Sequence, residues 1–130
     1  MAGPTPQIAL QTFLHAFQRL DLDAMIDCFA PEATAFFPIE HQTAGLEGKN
    51  AIGVAFASVV ARLREKGAQG AALHTENVQF LEWADTAIAT LHLRGEHLGR
   101  RTFILRRQQG EWHIVHLHAS NAPLNEEVVQ

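Results

Sequence analysis

The sequence predicts an α+β fold in which helices pack on one face of a strongly bent antiparallel sheet. Helical spacing of large apolar residues is confined to the first 67 positions, whereas strand-length apolar runs bounded by turn residues fill the remainder. No repeat, linker or low-complexity segment divides the chain, so residues 1–130 read as a single domain. Helices first and long strands afterwards favour helices gathered on one side of the sheet rather than alternating with its strands.

Thr5 followed by Pro6 is an N-cap with proline in the first helical position, and Leu10, Phe13, Leu14 and Phe17 then recur on one helical face. Asp21 caps a short second helix carrying Met25, Ile26 and Phe29, which Pro31 is expected to terminate. A brief strand is expected around Thr34 to Phe37. The third helix should begin near Asn50, carry Ile52, Phe56, Val59, Val60 and Leu63, and stop at Gly67 with Arg62, Arg64 and Lys66 near its negative end. Residues 71–82, 86–97, 100–109 and 111–121 form the meander, with turns at Trp83 to Asp85, near Gly99 and at Gly110. Only Met1 to Pro4 and about Asn125 to Gln130 read as loose ends.

Composition excludes several classes of function. Ten Lys and Arg against fourteen Asp and Glu give a net charge of −4, which offers no electrostatic footprint for nucleic acid. Hydrophobic content is 47% with no apolar run of spanning length, so no membrane partner is expected. The start, MAGPTPQIAL, lacks the basic and apolar regions of a secretory leader, and the single cysteine, Cys28, has no partner for an internal disulfide. These features together predict a cytoplasmic protein.

Strict alternation puts Trp112, Ile114, His116, His118 and Ser120 on one side of the last strand. In the strand over 86–97, Leu91 and Leu93 point one way while Thr90, His92 and Arg94 point the other. Neither face is plainly solvated, which predicts that the outer face is covered by a second copy of the chain. The expected dimer interface is Leu91, Leu93, Trp112, Ile114, His116 and His118. His116-x-His118 has the spacing of a strand chelate, but no third ligand is evident, so no metal site is expected and no cofactor is called for.

The segments DLDAMIDCFAPEATAFFP and RRTFILRRQQGEWHIVHLHASNAP resemble the nuclear transport factor 2-like (SnoaL-like, cystatin-like) superfamily over residues 8–124. The likeness is closest to the association (hub) domain of calcium/calmodulin-dependent protein kinase II, in Thr34 to Phe36, Leu73 to Thr75 and the run Trp112 to Pro123. The resemblance implies a cone of three helices and about six strands, open at one end and paired through the outer sheet face. The proton-handling positions of ketosteroid isomerase, a related member, fall on Phe13, Phe37 and Phe103, which leaves no base or donor for that reaction. The hub's basic pocket positions fall on His92, Phe103 and Ala119, so most of its anion-binding charge is absent.

The cone interior is therefore expected to be apolar, lined by Phe13, Phe17, Phe37, Phe56 and Phe103, with His92, Arg94 and Arg101 as its polar groups. Such a pocket suits a small apolar or weakly acidic ligand. In an isomerase, cyclase or dehydratase reading His92 is the base; in a third reading the chain is an association module. Cys28 reads as a buried inert thiol and Glu40-His41 as a pair at the mouth.

Overall fold

A computed structural model describes residues 3–38 and 44–123. The elements are α1 (Pro6–Gln18), α2 (Leu22–Asp27), β1 (Phe29–Phe36), β2 (Leu46–Glu47), α3 (Lys49–Glu65), β3 (Thr75–Glu82), β4 (Thr86–Arg94), β5 (His97–Gln108) and β6 (Glu111–Pro123). The strands form one curved sheet in the order β2-β1-β6-β5-β4-β3, antiparallel throughout except that β1 runs parallel to β6. Residues 39–43, which include the Glu40-His41 pair, lie outside the described residues.

The helix starts follow their sequence signals. Ile8 N–H donates to Thr5 Oγ1 at 3.1 Å and Ala24 N–H donates to Asp21 Oδ1 at 3.2 Å, so both expected N-caps form. In α1 the buried residues Pro6, Ala9, Leu10, Phe13 and Ala16 trace one face at helical spacing. Before α3 the N-cap is Gly48, whose φ of 92° is a conformation glycine adopts without steric penalty.

Three boundaries differ from the sequence reading. The second helix ends at Asp27, and Phe29 and Pro31 already belong to β1, where a register irregularity between Phe29 and Thr34 accommodates a proline that has no N–H to give the ladder. The turn after β4 falls at Gly95 and Glu96 rather than near Gly99, which lies within β5 opposite Leu93. Residues 71–74 precede the strand that was expected to begin there.

The core is built from aromatic rings of four elements. The ring of Phe13 lies 5.6 Å from Phe29, 5.7 Å from Phe56, 5.7 Å from Phe103 and 6.2 Å from Phe17, mostly edge to face. It therefore joins α1 to β1, α3 and β5 at a single point. Edge-to-face pairs contribute about 0.5–1.5 kcal/mol beyond the burial of their area. Truncation to Phe13→Ala should lower unfolding free energy by about 3–5 kcal/mol, read from the urea midpoint. A loss below about 1 kcal/mol would show that the rings around it are not the joint between layers.

Candidate ligand cavity and outer sheet face

The inner face of the sheet follows from its period of two. Ala87, Ala89 and Leu91 of β4 are buried, and they pair with Leu105, Phe103 and Arg101 of β5. Between this face and the helices lies a cavity of about 240 Å³. Phe13 and Phe17 of α1, Phe56 of α3, Phe103 of β5 and Phe37 just after β1 form its aromatic wall. Leu93 and Leu117 contribute from the sheet, and Leu14, Val59 and Leu73 complete the apolar surface. The described charged groups in the wall are two guanidiniums, Arg62 and Arg101.

Among the described residues, the hydrogen-bond partners of Arg101 are carbonyl oxygens. Its Nη1 donates to Ser120 O at 2.9 Å, Arg100 O at 3.1 Å and Asn121 Oδ1 at 3.3 Å. Burial pulls this guanidinium below its ordinary pKa, and among the described residues no carboxylate pairs with it. It stays cationic at neutral pH, since arginine does not give up its proton in proteins.

Six of the eight pocket residues expected from sequence border this cavity: Phe13, Phe17, Phe37, Phe56, Arg101 and Phe103. His92 and Arg94 do not. They alternate with the buried Leu91 and so stand on the outer face, His92 opposite Glu76 and Arg100, Arg94 with its Nε 2.8 Å from Glu76 Oε1. For Arg62 the sequence predicts only a place near the negative end of its helix. Its position three residues after Val59, on the cavity side of α3, was the available signal.

The expected interface needs a larger correction. Ile104 pairs with His116 but Leu105 pairs with Ile114, so Val115 is an extra residue in β6. Before this bulge Trp112 and Ile114 face inward, and after it Leu117 and Ala119 do, while His116 and His118 face outward. Trp112, Ile114 and Leu91 are core residues and Leu93 borders the cavity, so only His116 and His118 of the six belong to the outer face.

On that face His116 Nδ1 and Thr34 Oγ1 form a 2.7 Å hydrogen bond. The ring of Phe36, 47% exposed, lies 5.7 Å from His116 and 5.3 Å from His118. Among the described residues no three His, Cys, Asp or Glu side chains converge as metal ligands. Cys28 is buried and its thiol is pushed up to about 11 by burial, which keeps it protonated and unreactive. No helix among the described residues is long and apolar enough to cross a membrane.

A three-helix layer over a curved six-stranded sheet, with a cavity between them, defines a class. The chain belongs to the SnoaL-like domain family, which matches residues 7–125. Among solved structures, a Thiobacillus denitrificans protein provisionally named a calcium/calmodulin-dependent protein kinase type II association domain is 26% identical, with a TM-score of 0.74 over 96% of this chain and 99% of that one. An NTF2-like protein of unknown function from Pseudomonas putida is 22% identical, with a TM-score of 0.74 over 85% of this chain and 80% of that one. An NTF2-like protein from Streptomyces avermitilis, provisionally named a dehydratase, is 17% identical with a TM-score of 0.74 over 92% and 94%. The latter two share the fold; none of the three likenesses assigns an activity to this chain. No curated protein matches it.

Burial, and secondarily the neighbouring His118, hold His116 below its ordinary pKa, partly offset by the backbone of Thr34. The unfolded chain therefore binds a proton at this site at higher pH than the folded one, and stability rises with pH across the interval between the two pKa values. The contribution is complete above about 6.5, the ordinary histidine value, and is lost as pH falls toward the lower folded value. Melting temperature should drop more steeply between pH 7.5 and 5.5 in the unaltered protein than in His116→Gln. Parallel slopes would show that His116 titrates as in the unfolded chain.

Proposed function

We propose that this protein is a small-molecule-binding member of the SnoaL-like family whose cavity holds one apolar ligand without acting on it by acid–base chemistry. The observation that carries this reading is the wall itself: a well-formed void of about 240 Å³ whose described lining contains no carboxylate, histidine, thiol or phenol. A general base must reach the proton it removes, and His92, the residue expected to serve, stands across the sheet from the void. Phe13, Phe37 and Phe103, at the positions that handle protons in ketosteroid isomerase, supply apolar surface to the ligand instead.

A ligand present at a hundred times its Kd stabilises the folded state by about 2.7 kcal/mol, which a thermal-shift screen of small apolar metabolites resolves. Ala119 lines the cavity and is buried, so Ala119→Phe should fill the void and abolish the shift. A library with no stabilising member, or a shift that survives Ala119→Phe in a folded protein, would count against the reading.

Self-association through the outer sheet face is a second proposal, supported by one observation. Phe36 is an aromatic ring left 47% exposed beside the two outward histidines, and Leu81 is 61% exposed on the edge strand of the same sheet. Sedimentation velocity at micromolar concentration should report a dimer that Phe36→Asp dissociates. A monomer in the unaltered protein rules the second reading out and leaves the cavity reading untouched.

A further inference from the structure

We infer that the cavity's ligand is a small monocarboxylate with a one-ring apolar body, its carboxylate held on the free edge of Arg101 beside Arg62 and its ring among the phenylalanines. This rests on the binding reading above and adds the charge and size of what is bound.

The charge comes from an imbalance in the wall. All three acceptors around Arg101 fall on Nη1, and Nε and Nη2 have no protein acceptor among the described residues. Those two nitrogens form the side of a guanidinium that receives a carboxylate. The protein itself uses that side elsewhere: Arg107 Nε and Nη2 donate to Asp85 Oδ1 at 2.9 Å and 2.6 Å. Arg94 likewise has Glu76. Arg101 differs from these two arginines in being less exposed and in having no acid partner among the described residues.

A partly desolvated cation with no counter-ion is costly, and a bound anion removes that cost. Arg62, exposed on α3 and also bordering the cavity, adds a second positive charge where no described acidic residue lies. Both cations thus favour the same sign of ligand. A planar two-oxygen acceptor matches one free guanidinium edge, which points to a carboxylate.

The size comes from the volume. An apolar cavity of roughly 150 Å³ takes up benzene, and ligand sites for larger molecules run from roughly 300 Å³ upward. At about 240 Å³ this void has room for one ring and a short chain. Five phenylalanines in the wall offer edges and faces for ring packing.

Isothermal titration of the full chain with 3-phenylpropanoate and with 3-phenylpropan-1-ol separates the possibilities, because the two probes share ring and chain and differ in charge. The acid should bind at least roughly tenfold tighter, the worth of one charge-assisted hydrogen bond. Arg101→Gln should bring the acid-to-alcohol affinity ratio to about one. Arg62→Gln should weaken the acid several-fold at low salt and little at high salt. Arg101 also ties β5 to β6, so the acid-to-alcohol ratio in the unaltered protein is the primary readout and needs no variant.

Equal binding of the two probes overturns the carboxylate assignment and leaves the cavity reading standing. An acid preference that persists in folded Arg101→Gln overturns it as well. Failure of both probes at millimolar concentration overturns the assignment together with the one-ring ligand size it depends on, whereas the cavity reading itself is decided by the thermal-shift screen.

Discussion

The layers of this molecule are joined by phenylalanine rings that meet around Phe13, and the rest of the structure depends on that meeting. Rings are wide and stiff, with two rotatable bonds, so they set the separation between helices and sheet instead of adapting to it. Edge-to-face contact is the arrangement their quadrupoles favour. Phe13, Phe17, Phe56 and Phe103 accordingly serve both the core and the wall of the void. A substitution at any of them alters the core and the cavity wall together.

The sheet's period of two then decides which chemistry reaches the void. One position along β4 separates Leu91, buried and facing inward, from His92, facing outward. One extra residue in β6 moves the odd-numbered positions from the outer face to the inner one, which sends Leu117 and Ala119 to the cavity and leaves His116 and His118 together outside. A histidine near the cavity in sequence is therefore not near it in space. The outer pair is instead arranged around Thr34 and Phe36, where burial lowers the pKa of His116.

Much of this was legible in the sequence because local signals agreed with one another. Thr5-Pro6 and Asp21 fixed helix starts, apolar spacing fixed the inward face of α1, and the same phenylalanines identified the wall. What was not legible depends on register. Periodicity reports alternation and cannot report a bulge, and nothing in Ile114-Val115-His116 marks Val115 as the extra residue. Pro31 read as a helix stop because a proline inside a strand is uncommon, yet a register irregularity accommodates it in β1. The absolute face of β4 was equally ambiguous, since both of its faces carry apolar residues; that ambiguity placed His92 and Arg94 in the pocket and Leu91 and Leu93 outside it.

Arg101 is the residue that a stability argument alone does not account for. Arg101 is partly buried, and replacing a desolvated charge by an apolar group of similar size is often neutral or favourable to stability. The neighbouring inward positions Gly99, Phe103 and Leu105 show that this strand tolerates apolar or small residues on its inner face. A guanidinium kept there against the desolvation cost, anchored by three carbonyl oxygens that fix its place without neutralising it, departs from local consistency in the way that functional sites do. Among the described residues, the same wall carries no carboxylate, histidine, thiol or phenol. A cation without a described acid beside it, in a wall without a described proton-moving group, is the combination on which the proposed reading of recognition rather than catalysis rests.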